Sequence, residues 1–402
     1  MTGPEPPALA REPSILDRMA DQLERAGLVG ERRAAKLVHL VLTSRLLEAP
    51  LCAAIKGPSS AGKNHLAARV LALFPPSAFY QLTGMSERNL AYDTEPLKHR
   101  ILVVGEAAGL AGGVGAYLLR SLISEHRLRY QTTEKGNGRF ASRLIEREGP
   151  TGLLTTTTSV QLDVELETRI LSIPIDDSRE QTAAIVRATA GNWDGSGAVA
   201  PIDPKPWHAL QAWLEGAEHR VVIPFARQLT DAIPPVAVRL RRDVGALMSL
   251  IATHALLHQA QRERDRHGQI IATREDYGEV YRLVIDLVSE GVGASVSPQT
   301  RETVEATQVI AGAGGASLTA LAKRLGLDKS AVSRRVEKAI KDGFLVNLEQ
   351  RAGVEARIVA NPDQPLPEAV KVLPPPETVA PLRKKSGKRG QTAKGRRRAA
   401  GG

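Results

Sequence analysis

The sequence predicts an α/β P-loop-type domain with a helical lid, then a small helix-turn-helix module and a disordered basic tail. Three observations predict it. Short apolar runs at Leu51–Ile55, Ile101–Val104 and Leu153–Thr157 alternate with helical stretches, the pattern of a largely parallel sheet. A glycine-rich octapeptide directly follows the first run. Helical periodicity without a convincing central strand then fills residues 179–290, and the Gly/Ser/Pro stretch Gly291–Pro298 separates it from a compact region at 301–361.

At 402 residues, with 42% apolar and 24% charged side chains, the chain has material for two or three domains with cores of their own. Aromatics, at 3%, are too scarce for a surface on which successive bases stack. The net charge of +10 is concentrated near the end, where Arg383, Lys384, Lys385, Lys388, Arg389, Lys394, Arg396, Arg397 and Arg398 follow the last acid, Glu377. Such a cationic segment binds polyanions, and nucleic acid is the default partner. Cys52 is the only cysteine, which excludes a disulfide framework and a cysteine-built zinc site. The N-terminal stretch lacks the apolar core of a signal peptide, and no apolar run reaches membrane-spanning length. The expectation is a cytoplasmic protein with no membrane partner.

Residues 1–13, with Pro4, Pro6, Pro7 and Pro13, are expected to be disordered. Ile15, Met19 and Leu23, then Leu37, Leu40 and Val41, predict two helices broken near Gly27–Gly30. Within 14–178, Gly57-Pro58-Ser59-Ser60-Ala61-Gly62-Lys63-Asn64 matches G-x-x-x-x-G-K-[ST] except at its last position. Strand before and helix after give the right setting, with the helix starting near His65. Glycines let backbone N–H groups wrap a phosphate, the helix N-terminus adds a favourable dipole, and Lys63 reaches the β- and γ-phosphates. ATP is the expected ligand. Mg²⁺ normally takes a Ser/Thr hydroxyl here, whereas Asn64 offers only a neutral amide oxygen. The strand Ile101–Val104 leads to Gly105-Glu106. An Asp usually stands at the first of these positions, so Glu106 is left as the one candidate for both the metal and the attacking water.

The order of these motifs resembles the AAA+ ATPases, particularly minichromosome-maintenance-type helicases and their mobile-element relatives, over about residues 30–290. The resemblance makes the Leu128–Arg139 segment, with its Gly136-Asn137-Gly138 turn, a hairpin that presents Lys135 and Arg139 to DNA. It makes Gly152–Ser159 similar to the sensor 1 strand, with Thr156 or Thr157 orienting the catalytic water. It makes Glu167–Ile173 similar to the arginine-finger segment, with Arg169 directed at a neighbouring subunit's γ-phosphate. The Val238–Asp243 segment resembles the start of the sensor 2 helix, from which Arg241 or Arg242 reaches the nucleotide. Ala272–Tyr277 resembles the start of the next lid helix, with Thr273 as N-cap and Asp276 three positions on. A homo-oligomer is implied, a hexameric ring being one form.

Ser317–Val336 has helix-turn-helix pattern: Ala322 is small at the helix crossing, Gly326 permits the turn, and Leu318, Leu321, Leu325, Val332, Val336 and Ile340 supply a shared core. Lys329, Ser330, Ser333, Arg334 and Arg335 on the second helix are types that contact phosphates and base edges. Strand-like stretches flank Arg351-Ala352-Gly353, and 301–361 resembles MarR-type winged-helix modules. Residues 362–402, rich in proline and then in basic residues, are expected to be disordered. The leading reading is a DNA-binding ATPase, a helicase-like or replication-initiation motor of a mobile element. The alternatives are a winged-helix regulator with a low-turnover nucleotide switch and a helicase loader or adaptor.

Overall fold

The computed structural model describes residues 5–379 apart from 85–88, 106–112, 126, 137–138, 159–168, 195–196, 198, 295–297, 313, 350, 352–353 and 367–371. Disorder is expected over residues 1–13, but a 3-10 turn at Ala8–Arg11 packs Ala10 into the main core, since its apolar residues outweigh the flanking prolines. Two helices follow, α1 (Ile15–Arg25) and α2 (Arg32–Thr43), with the predicted break between them. Strand β1 (Cys52–Lys56) is followed by α3 (Lys63–Leu71), which starts two residues earlier than expected. Next come β2 (Phe79–Leu82), the single turn α4 (Asn89–Tyr92), β3 (Arg100–Val104) and α5 (Gly113–Glu125). The hairpin β4 (Arg127–Gly136) and β5 (Arg139–Glu148) precedes β6 (Thr151–Thr157) and β7 (Leu171–Pro174).

Strands β1, β2, β3, β6 and β7 form one parallel sheet in the order β2-β3-β6-β1-β7. Its alternation separates two cores. Ala53, Ile55, Ile101, Val103, Leu154 and Ile173 face α1–α3 and the lid, while Cys52, Ala54, Leu102, Val104 and Leu153 face α5 and the root of the hairpin. Both faces are covered, which is why the inner strands read as continuous apolar runs.

The helical region comprises α6 (Arg179–Asp194), α7 (Lys205–Glu215), α8 (Ala226–Asp231), α9 (Leu240–Leu257) and α10 (Arg274–Ala294). Two-residue strands β8 (Val221–Val222) and β9 (Ile270–Ile271) pair within it. Thr273 and Asp276 form the expected cap: the Thr273 N–H and hydroxyl donate to Asp276 Oδ2 at 2.7 and 3.1 Å. That carboxylate also takes Arg262 through Nη2 at 2.6 Å and Nε at 3.0 Å, and meets His254 Nδ1 at 2.7 Å. Burial opposes its charge, but the hydrogen bonds from His254 and Arg262 hold Asp276 well below the usual carboxylate range. His258 lies stacked on His254, with Nδ1 3.0 Å from the His254 carbonyl and Nε2 accepting from the Ile15 N–H at 3.4 Å, which ties α1 to the lid. His254, His258 and Asp276 are close enough to suggest a metal site, but a carboxylate already serving five donors has no lone pair to spare. The group is a structural knot.

A second unit follows: α11 (Pro298–Ile310), α12 (Leu318–Leu325), α13 (Lys329–Lys341) and the antiparallel pair β10 (Leu345–Asn347) and β11 (Ile358–Ala360). Its core gathers Val304, Leu321, Val332, Val336, Phe344 and Ile358. The expectation of disorder from residue 362 onward fails at residues 372–379. Val372, Leu373 and Val379 are at most 2% exposed within the main core, so these apolar flanks bury a segment that its prolines alone mark as irregular. The basic stretch 383–398 lies outside the described residues.

Candidate functional site

The loop 57–62 leaves the carboxyl end of β1, the end at which open α/β sheets bind ligands. Its backbone is wound tightly. Ser60 and Gly62 have φ of 65° and 92°, and Gly62 is the N-cap of α3. Glycine takes this left-handed conformation without steric cost. Within the described residues, nothing accepts a backbone hydrogen bond from the N–H groups of Ser59, Ser60, Gly62, Lys63 and Asn64. The Lys63 ammonium folds back over this loop and donates to the Gly57 and Pro58 carbonyls at 2.8 and 2.6 Å. The result is a concave row of donors at a helix N-terminus with a cation beside it, an arrangement suited to an anion. Pro58 and Ala61 shape the loop, with the Ala61 N–H donating to the Pro58 carbonyl at 3.3 Å.

Sheet register puts the two threonines on opposite faces. Thr156 pairs with Ile55, so its side chain shares the α3 face of the sheet, whereas Thr157 alternates to the other face. The Thr156 hydroxyl stands 2.9 Å from Asn64 Oδ1 and also bonds the Gly105 carbonyl. Thr157 meets the loop through its carbonyl, which accepts from the Gly57 N–H at 3.3 Å. Asn64, Thr156 and Gly105 therefore meet at one point beside the loop. Glu106 lies outside the described residues.

Arg169 and Arg242 share a second site. Together with Lys56, Arg239, Arg241 and Asp243 they line a cavity of about 750 Å³ beside β7 and α9, into which none of residues 57–64 projects. Arg169 Nε donates to Ser124 Oγ at 3.0 Å, and Arg239 pairs with Asp243 at 3.2 Å. Burial raises the Asp243 pKa despite that arginine. Arg241 and Arg242 thus line the same cavity as Arg169, which none of residues 57–64 lines.

The hairpin at 127–148 is present, with ten residues in each strand and Gly136 paired to Arg139 across the turn. Arg147 roots it by donating to the Leu90, Asp93 and Glu95 carbonyls. The side chains of Lys135 and Arg139 lie outside what is described.

In the C-terminal unit, Ser317 caps α12 by accepting from the Ala320 N–H, and Asp328 caps α13 by accepting from the Ala331 N–H at 2.9 Å. Gly326, at φ 64°, makes the turn between them. Residues 308–346 match the family model described as winged helix-turn-helix DNA-binding. The winged-helix match covers this module alone. No curated protein matches the chain. Among solved structures, the chain is similar to a full-length MCM homolog from Methanopyrus kandleri, at 14% identity and a TM-score of 0.46 over 71% of this chain. It spans 62% of that protein's length.

Among the five candidate contacts on α13, the structure separates two groups. Lys329 and Arg334 are exposed and form no ion pair among the described residues. Arg335 is drawn back to Glu302 of α11 at 2.7 Å, Ser330 bonds Asp328 at 2.5 Å, and Ser333 bonds Glu337 at 3.1 Å. Only the partners of these side chains in the folded module reveal this division. Sequence spacing marks all five alike.

Proposed function

We propose that the chain is a DNA-binding ATPase of the helicase-like or replication-initiation kind. The donor-lined loop at 57–64 with Lys63 folded over it carries the reading, and the winged-helix match at 308–346 supplies the DNA-binding half. The loop fits a nucleoside triphosphate: the N–H groups from Ser59 to Asn64 would hold its phosphates, and Lys63 would exchange its two carbonyl partners for them. Bound ATP supplies a γ-phosphate for transfer to water. The described residues fit Mg²⁺ poorly, since Asn64 offers an amide already engaged with Thr156, and Gly105 stands where a carboxylate is usual. That observation favours a second reading, in which nucleotide drives assembly and turnover is slow. The Arg169 and Arg242 cavity, set apart from the loop, supports arginines delivered to a neighbouring copy, and hence a homo-oligomer.

Lys63→Ala is expected to weaken ATP binding by at least about tenfold and to remove any DNA-stimulated turnover. Unchanged turnover in this variant, assayed with and without duplex, would reject the site.

For DNA, the double variant Lys329→Ala, Arg334→Ala should weaken duplex binding and lower the salt slope by about 2, one phosphate contact for each charge. Arg335→Ala should leave that slope unchanged, because its charge is spent on Glu302. Anisotropy titrations across a salt series distinguish the two variants. Equal slopes for both would show that α13 does not meet phosphate as proposed.

A further inference from the structure

Among the described residues, the winged-helix module shares no hydrophobic core with the rest of the chain. Its cluster begins at Val304 and takes in Leu366, while the main cluster holds no residue between Val288 and Val372. After the module, however, the chain returns to the lid. Val372, Leu373 and Val379 are buried in the main core, and the segment lies on the first turns of α10. Tyr277 Oη donates to the Pro374 carbonyl at 2.5 Å, and Arg274 Nη2 donates to the Pro376 and Glu377 carbonyls at 3.1 and 3.2 Å. Pro375, at φ −59° and ψ 145°, is in the polyproline II region. Tyr277 in turn meets Tyr281 edge to face, with ring centres 5.9 Å apart. After Pro375 the chain closes into a 3-10 turn at Pro376–Thr378, so a proline-flanked turn is held on the lid by Tyr277 and Arg274, whose donors meet the carbonyls at 374, 376 and 377.

The module is therefore held at two points on one helix. It enters from the C-terminal end of α10, with residues 295–297 separating Ala294 from Pro298. It leaves towards the N-terminal turns around Tyr277. At helical rise those anchors lie about 25 Å apart. The stretch from Leu366 to Val372 spans no more than about 21 Å however it runs. A module bound at both ends must stay alongside α10. One held at the C-terminal end of α10 alone is not bound by that limit.

We propose that residues 372–379 are a releasable clasp that fixes the position of the winged-helix module relative to the lid. Clasp closure limits where α13 can meet a duplex, and clasp release widens that range. This use rests on the DNA-binding reading above, whereas the clasp itself can be tested without DNA or nucleotide.

The native Cys52 is buried, so Arg282→Cys and Lys341→Cys can carry spin labels in the full-length chain and report the distance from α10 to α13. A narrow distribution is expected. Leu373→Asp with Val379→Asp should at least double its width and speed amide exchange across 372–379 by at least about tenfold, while exchange in β1 and β6 stays as in the unaltered chain. Tyr277→Phe retains the ring and loses only the hydroxyl, so it covers the case in which the charged pair unfolds the lid. Its expected result is intermediate broadening with faster exchange confined to the clasp. A distribution equally narrow with the clasp opened, or clasp amides unprotected in the unaltered chain, overturns the proposal. A chain that shows the broadening but fails to bind duplex retains the clasp and loses the DNA reading instead.

Discussion

An Asn64→Thr, Gly105→Asp chain is expected to hydrolyse ATP at least about tenfold faster than the natural sequence, a barrier change of about 1.4 kcal/mol. The gain should depend on Mg²⁺. The reason lies in one shared hydroxyl. Thr156 has a single proton and two oxygen neighbours, Asn64 Oδ1 at 2.9 Å and the Gly105 carbonyl. All three groups are satisfied when the Asn64 amide turns its NH₂ towards Thr156, which then donates to Gly105. That chain of bonds presents a donor where a cation needs a hydroxyl or carboxylate oxygen. Threonine at 64 restores the oxygen. A side chain at 105 is sterically permitted, because a Cβ there meets nothing closer than the Thr83 carbonyl at 3.5 Å. ATP affinity should change little, since Lys63 and the loop donors are untouched. If the natural chain already turns over rapidly and the double variant adds nothing, the slow-switch reading fails and Glu106 alone suffices.

What the sequence disclosed depended on burial. β1, β3 and β6 are covered on both faces, and each stands out as an apolar run. β2 and β7 are the edges of the sheet, four residues long and largely half-buried, so Phe79–Leu82 and Leu171–Pro174 carry no such signal. The Gly136-Asn137-Gly138 turn marks the hairpin, but its ten-residue strands are mostly polar and their length is not readable. Four consecutive threonines at 155–158 hide which one faces α3, and only pairing with Ile55 selects Thr156. Thr273 and Asp276 are legible as a local cap, yet His254 and Arg262 reach the same carboxylate from positions with no fixed spacing to it. At 372–379 the prolines point to irregular structure. The signal that outweighs them is Val372, Leu373 and Val379, apolar residues on either side that only a folded lid can bury.

Lowering the pH from 7 to 5 is expected to cost the fold about 4 kcal/mol through two buried histidines, and His39→Leu should recover about half of that. His39 lies in α2 between Phe74 and Trp207, with ring centres 4.8 and 5.7 Å away, and neither ring nitrogen has a hydrogen-bond partner among the described residues. Burial pushes its pKa down from 6.5 to about 3. Burial, with the neighbouring His254, takes His258 down to about 3 as well. In the unfolded chain both rings take up a proton below about pH 6.5. The folded chain refuses it until about pH 3, so stability is full above the higher value and falls as acid is added. Each histidine contributes about 2 kcal/mol to the loss by pH 5. Glu31 and Asp243, whose pKa values burial raises, act in the opposite sense, so the difference between variant and natural chain is the cleaner measurement. Leucine removes one titrating group and also relieves a buried N–H with no acceptor, which should add about 1 kcal/mol at neutral pH. Denaturant unfolding of the two chains at pH 7, 6 and 5 should give curves that diverge as pH falls. Parallel curves would mean that His39 is protonated in the fold or reaches water, and the core around Phe74 and Trp207 would be less closed than its geometry indicates.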